Sequence, residues 1–539
     1  MSSHWRKTTL GAVIAFGVVL AGCSSESNTD AKADANANAN GENKPKGEAA
    51  VDVSKTGFPI VAQPIVQKMF ARIAPVNGPF KDMPVFQDYE KLSYVQADFT
   101  EVPTDGFQEK KNLLFAANEL PDVLFRAGLT PLETIRYGTA GQLIPLETLI
   151  DDYAPNFKKL MDQYPEIRSA ITTPEGHIYS LPTIVTLGAA RTDKKWINQA
   201  WLKKLNLKEP ETTEDLYNVL VAFRDGDPNG NGKPDEIPMT ARASGGPGLG
   251  LPVVAMMSGS FGLDNQLGYN INLTDGKVDI WMGSERNKEL LQYLNKLYSE
   301  KLLDPEVFSH KEADYLAKQG SGNAGFFFDQ TNNPFLEIAD QYTGIAPLEG
   351  PHGDRLQSQG APVPRDFGSF AITSVNKTPE AALRWVDYFY SDEGSTLLRF
   401  GREGEHYELK NGMPYYKEEF LKSGNQAKIT PYAGGGAPHL ISEKVASFIN
   451  PPQVQEAQKK LDPYMPKIRY AAPMFDEETA RKVDVLRTDI DKYYEEQSTK
   501  FIAGAISFDE WDKFEATLAK MNLDELEQLY QTAFDAMKK

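Results

Sequence analysis

The sequence predicts an α/β protein of two or more lobes, on three observations. With 539 residues the chain is too long for a single apolar core, and 41% hydrophobic against 24% charged content is an ordinary globular balance. From Phe58 onward, strand-like and helix-like segments alternate. No internal repeat and no second linker of biased composition follows the first fifty residues, so the lobes are expected to be interwoven instead of strung in series.

Taken in order, Val66 to Ile73 and Ser93 to Val102 carry the β-branched and aromatic content of strands. Asp105 to Ala117 reads as a helix, and Asp122 to Phe125 as a short apolar strand, a succession that argues for a largely parallel sheet. Between Glu289 and Tyr298, Leu290, Leu291, Leu294, Leu297 and Tyr298 share one helical face. Thr378 ahead of Pro379 marks a helix start, followed by Ala382, Trp385, Val386 and Phe389 at helical spacing. Ser507 and Glu510 have capping-box spacing ahead of Trp511, Phe514 and Leu518. The tryptophans are most simply core residues.

Charge and cysteine content exclude several functions. The balance of 57 Lys+Arg against 75 Asp+Glu gives −18, which repels phosphate backbones and argues against nucleic acid as a partner. Cys23 is the sole cysteine, so disulfides within the chain and zinc clusters built from several thiolates are impossible.

The first residues read as an address. Arg6 and Lys7 precede an apolar stretch from Leu10 to Val19, then Leu20, Ala21, Gly22 and Cys23, the layout of an export signal too short to span a membrane. It resembles the lipobox of bacterial lipoproteins, which implies removal of residues 1–22 and lipidation of Cys23 with acyl chains such as palmitate. Ser24 to Ala50 has no Val, Ile, Leu, Met, Phe, Tyr or Trp and cannot bury enough surface to order itself; residues 23–57 therefore form a tether. As a coil, Ser24 to Ala50 would reach roughly 28 Å root-mean-square. No later apolar run is long enough to cross a bilayer.

Among the motifs, Asp227 to Pro238 is the sharpest. Asp227, Asn229 and Asn231 fill positions 1, 3 and 5 of an EF-hand-type loop, Gly232 position 6, Lys233 (through its carbonyl) position 7, and Asp235 position 9. Calcium needs such a run of hard oxygens. Pro238 replaces the bidentate Glu of position 12, so Glu236 must supply the remaining oxygens, and the loop reads as a structural clamp instead of a switch. Gly320 to Gly325 matches G-x-G-x-x-G, but a helix-like segment precedes it and the strand Gly325 to Phe328 follows, the reverse of a dinucleotide site. The glycine-rich Gly245 to Gly250 reads as a loop. G-x-S-x-G and H-E-x-x-H are both absent. Acidic pairs such as Asp151–Asp152 and Glu418–Glu419 read as solvated surface.

Glu119 to Asp122, Gly141 to Leu146, Glu175 to Pro182, Trp196 to Leu205, Asp227 to Pro238 and Phe400 to Tyr407 together resemble the extracellular solute-binding lipoproteins of carbohydrate ABC importers, in the calcium-containing branch that includes alginate-oligosaccharide binders. The resemblance implies a periplasmic-binding-protein-like clamshell of type II, with interwoven lobes joined by a hinge. One lobe would hold residues 58–182 plus about 365–391, the other 183–364 plus about 392–539 with the calcium loop. It also implies a structural Ca2+, an oligosaccharide ligand, neutral or acidic, permease subunits as partners, and a monomer lipid-anchored on the extracytoplasmic face of the cell membrane, binding its ligand without catalysis.

Ligands of α/β sheets lie beyond the carboxyl ends of strands, which makes Arg126, Arg242, Asp329 and Gln330 candidates. Thr183 stands at the expected crossing between lobes and Arg402 in the loop after Phe400. Arginine suits hydroxyls and carboxylates. Phe335 and Trp196 are candidate aromatic platforms, Trp196 being more at home in a core. A second reading is a surface-anchored polysaccharide hydrolase or lyase, whose paired carboxylates need no conspicuous motif.

Overall fold

The structure, a computed structural model, describes residues 51–186, 192–243, 250–264, 270–330, 338–357, 364–431, 435–446, 452–465 and 474–537. Cys23, the tether up to Ala50, Phe335 and most of Gly245 to Gly250 lie outside them.

Four strands come first along the chain: β1 (Ile65–Ile73), β2 (Val95–Pro103), β3 (Val123–Leu129) and β4 (Leu181–Val185). They are followed by β5 (Lys194–Asn198), β6 (Ile237–Met239), the hairpin of β7 (Ile271–Thr274) and β8 (Lys277–Ile280), β9 (Ala324–Asp329) and β10 (Tyr342–Ile345). Last come β11 (Arg365–Ile372), the hairpin of β12 (Tyr407–Lys410) and β13 (Met413–Tyr416), and β14 (Leu440–Ile441).

Two main sheets result. The first has the order β14-β4-β11-β3-β1-β2 and the second β10-β5-β9-β6. β1 pairs in parallel with β2 and β3, as does β14 with β4, while β11 runs against both of its neighbours. In the second sheet β5 opposes β9 and β10, and only β6 and β9 are parallel. The expected parallel character therefore holds for the first sheet and fails for the second, because alternating periodicity reveals succession and not direction.

Each sheet has its own apolar core. Met69, Phe125, Leu181, Phe370 and Trp385 belong to the first, and Ile197, Trp281, Leu290, Phe326, Phe501 and Trp511 to the second. Full burial of such side chains contributes about 1.5–3 kcal/mol each. The helix Glu285–Ser299 turns Leu290, Leu291, Leu294 and Leu297 inward as its periodicity requires, and Ser284 caps it by accepting from Asn287 N. Trp385, on the helix Pro379–Asp387, stacks on Phe86 at 6.2 Å. The long helix Glu477–Ile502 buries Ile490, Tyr494 and Phe501 in the second core.

Four expectations are corrected. β3 does not stop at Phe125: Arg126 lies within it, at φ 54°. The apolar run ends there, but pairing continues to Leu129 because Gly368 of β11 closes on it; a Cβ on Gly368 would sit 2.3 Å from Leu129 Cβ. Thr183 is not at a crossing but inside β4, since the buried run passes straight through Pro182. Ser507 forms no capping box with Glu510. It caps the tight turn Phe508–Glu510, where the closer rise brings Asp509 N to its hydroxyl. Finally, Leu440–Ile441, expected in the second lobe, joins the first sheet beside β4.

Candidate functional site

Where β1 runs out beside β3, the first sheet gathers basic groups. Arg126 is fully buried, donating from Nε and Nη2 to Gly435 O (3.2 and 2.9 Å) and from Nη1 to Asn77 Oδ1 (3.3 Å). Burial, then the neighbouring charge of Arg72, brings its pKa down to about 9, with Asp366 opposing the fall. Left-handed backbone at a non-glycine residue costs about 1 kcal/mol or more, and such strain concentrates at functional positions. Thr183 Oγ1 donates to Ala437 O at 2.7 Å, and Asn77 Nδ2 to Ala427 O at 2.7 Å, so one late segment of chain is laced over these strand ends. Gly436, at φ 75°, allows the closest approach: a Cβ there would lie 2.7 Å from Arg72 Nη2.

The second sheet gathers groups of both signs around the end of β9. Lys194 pairs in register with Asp329, the last residue of β9. Arg242 bridges Asp329 Oδ2 (3.0 Å) and Glu312 Oε1 (3.0 Å), with its guanidinium over the Tyr315 ring at 5.0 Å. Burial works against the Arg242 charge, but Asp329, Tyr315, Glu312 and Asp193 outweigh it and raise its pKa. Asp193 is pushed up to about 6, by burial first and Asp329 second. Lys195 falls to about 8 through burial, with its Nζ 3.4 Å from Gln357 Oε1.

Thus Arg126 and Thr183 are both bonded to the Gly435–Ala437 segment, and Arg242 and Asp329 are joined beyond the other sheet, with Gln330 exposed just beyond β9. Arg402 stands elsewhere: Nε and Nη2 clamp Asp88 at 2.6 and 3.0 Å on the helix Pro84–Ser93, and Nη1 reaches Glu405. That is an ion pair tying a loop to a helix. Trp196 is buried, donating from Nε1 to Asp329 O at 3.0 Å, and offers no platform. Arg72, Asp193, Lys195, Asp366 and Gly435–Gly436 escaped the sequence reading. The run Gly434 to Gly436 was the available signal for the last.

In the loop after the helix Thr213–Asp225, oxygens are arranged by local turns. Asp227 accepts from Gly230 N and Gly232 N, Asn229 Oδ1 from Asn231 N at 3.0 Å, and Asn231 Oδ1 from Lys233 N at 2.7 Å. Asp235 is held below its usual pKa by hydrogen bonds from the Asn231 and Asn229 amides. Glu236 Oε1 is buried without a hydrogen-bond partner. Hard oxygen donors in this spacing and an orphaned carboxylate oxygen fit a hard divalent cation. Among the described residues no three His, Cys, Asp or Glu side chains converge as a metal set, since Asp235 is drawn onto the two amides and Asp227 onto backbone N–H groups. The helix Glu312–Gly320 followed by β9 confirms the wrong order for a dinucleotide loop.

Two α/β sheets, each with its own core and polar strand ends, define a two-lobed solute receptor. The family model described as bacterial extracellular solute-binding protein matches residues 75–396, and the chain belongs to that family. It is 30% identical over 472 residues to the fructooligosaccharide ABC transporter substrate-binding protein FusA of Streptococcus pneumoniae serotype 4, covering 84% of this chain and 86% of the relative. The structure of S. pneumoniae FusA in complex with kestose matches with a TM-score of 0.72 and 28% identity, over 88% of this chain and 99% of that one. Alginate-binding protein AlgQ2, solved without calcium ion, matches at 0.71 and 25% identity, over 88% and 98%. An EF-hand mutant of FusA in complex with fructo-nystose matches at 0.73 and 27%, over 88% and 99%. The fold is therefore the two-lobed periplasmic-binding-protein type that the sequence suggested, and the relatives named here are binding proteins.

Proposed function

We propose that this chain is the lipid-anchored, extracytoplasmic receptor of an ABC importer, that it binds an oligosaccharide between its lobes, and that it alters no bond in it. The observation that carries this reading is the presence of a polar cluster on each sheet, Arg126 within β3 on one and Arg242 with Asp329 at the end of β9 on the other. Relatives that bind fructooligosaccharide and alginate support the ligand class. The lobes would divide by sheet membership: residues 58–186 with 365–446 in one, and most of 192–357 with 474–537 in the other.

A ligand touching both clusters binds the closed state better than the open one, and that difference is what shifts the population to closure. Permease subunits can then distinguish loaded from empty receptor by shape. Ca2+ at Asp227, Asn229, Asn231, the Lys233 carbonyl, Asp235 and Glu236 would cross-link the loop as a clamp, with no part in recognition. Lipid on Cys23 would hold the receptor at the membrane, and among the described residues no helix is long and apolar enough to cross one.

The test is X-ray scattering on the protein with kestose or an oligogalacturonate. The radius of gyration is expected to fall on binding, and the recovered saccharide to keep its mass. Arg126→Gln and Asp329→Asn, on the two sheets, should each weaken binding and lessen the compaction. Progressive shortening of the saccharide would establish the hydrolase or lyase instead, and binding without compaction would defeat closure.

A further inference from the structure

We propose that the edge of the first sheet where β1, β2 and β3 begin is a membrane-docking face, by which the receptor rests on the surface of the bilayer that holds its anchor. The inference rests on the lipid at Cys23 proposed above and goes beyond it, since a tether alone fixes no orientation.

Among the described residues twelve large apolar side chains are more than a third exposed. Six of them, Val51, Phe58, Val66, Leu92, Tyr94 and Val375, gather at this edge with exposures of 36–52%. Backbone pairing holds them together. Ile60 N donates to Ser93 O at 2.9 Å and Ile65 N to Tyr94 O at 3.0 Å, which sets Phe58 and Val66 beside the end of the helix Pro84–Ser93, where Leu92 lies. Val53 pairs with Val61 and brings Val51 alongside the approach to β1. After β11, Asn376 Nδ2 reaches Gln67 Oε1 at 2.8 Å and carries Val375 to the start of β1. Apolar residues scattered singly over a surface need no explanation, but a group at one edge does.

Three observations name the occupant. The described body begins here: Val51 is its first residue, and only the stretch from Ser24 to Ala50 separates it from Cys23. That stretch has no Val, Ile, Leu, Met, Phe, Tyr or Trp, so it offers nothing apolar with which to cover the face. Finally, exposed Lys55, Lys68 and Lys91 stand near Tyr94, side chains whose apolar bodies and polar tips suit the boundary between water and lipid. Asp52 and Glu90 share that rim, so apolar burial and not attraction to anionic lipid drives the contact. The patch is too small to hold a free protein, but tethering raises its local concentration at the bilayer and makes a weak contact count. Because β1, β2 and β3 run parallel from this edge, docking turns the opposite end of the sheet, which carries Arg72 beside Gly436, away from the lipid.

The test uses the full-length lipoprotein in vesicles of phosphatidylethanolamine and phosphatidylglycerol. Cys23 is the sole cysteine and its sulfur would carry the lipid, so a thiol-reactive, polarity-sensitive dye labels only an introduced cysteine. Leu92→Cys reports on the face, and Val485→Cys, on the helix Glu477–Ile502 of the second core, reports on an equally accessible site elsewhere. The Leu92→Cys dye is expected to emit further to the blue and to be quenched by iodide about threefold less than the Val485→Cys dye, a difference that survives high salt. Adding Val66→Asp and Tyr94→Asp should restore quenching while the protein still floats with the vesicles. Equal quenching at both positions on floating vesicles keeps the anchor and overturns the docking face. Protein that does not float overturns the anchor and the docking with it. Protection of the Leu92→Cys dye that grows with protein concentration in a soluble Cys23→Ser form, without vesicles, would give the face to a second copy of the chain and overturn the proposal.

Discussion

Asp193 sits where two influences of the same direction meet. Burial and the adjacent Asp329 raise its pKa from 3.8 to about 6, against the pull of Arg242, Lys194 and Lys195. The folded state then holds this proton more tightly than the unfolded state does. Between roughly pH 4 and 6 the unfolded chain binds fewer protons at this position, so the Asp193 contribution to stability falls as pH rises through that window. Asp193→Asn removes the titration. Its stability relative to the parent protein is expected to climb by about 2 kcal/mol from pH 4 to 7, measured by urea unfolding at each pH. A difference independent of pH would show that Asp193 is not perturbed. No sequence signal marks Asp193 among 75 acids, because its perturbation comes from burial first and then from Asp329, far away in the chain.

At the scale of elements, the loop from Asp227 to Glu236 and the cation proposed for it make the clearest case. Without an ion its carboxylates repel, and a cation that binds only the folded loop adds stability by mass action. Chelation, or Asp227→Ala, is expected to lower the melting temperature in scanning calorimetry while ligand affinity survives. An identical melt with and without chelator would mean that the loop holds no metal. This loop was legible because its donors lie at fixed spacing within one segment. The helix Glu285–Ser299 and strands β1 and β2 were legible through periodicity. The end of β3 was not, since Arg126 continues the strand through left-handed backbone, and pairing resumes only where Gly368 of β11 meets Leu129. Arg402 was ambiguous for a related reason: a loop arginine suits a ligand or a carboxylate equally, and its partner Asp88 is remote in sequence.

For the whole molecule, attachment is the property the first fifty residues govern. Cys23→Ala is expected to release the protein from the membrane fraction, because in the proposed reading one lipidated residue would supply the anchor. Fractionation and immunoblotting check this; a variant still membrane-bound after a high-salt wash would overturn the lipoprotein reading. The two-lobe plan was legible in outline from length and alternation. Its sheet membership was only partly so: β11 lies in the segment that the resemblance gave to the first lobe, whereas β14 returns to that sheet from farther down the chain.

That return has a consequence for how the molecule is assembled during export. The described ladder of the second sheet draws only on residues 194–345, so all its strands are on hand once Ile345 has emerged. The first sheet begins with Ile65 yet lacks β11 until Ile372 and β14 until Ile441. Until then β3 and β4 each have an unpaired backbone edge, the kind that invites pairing with another chain. The lobe synthesised first is therefore the one completed last, and the hazard of misassembly while the chain crosses the membrane falls on the sheet that carries Arg72 and Arg126.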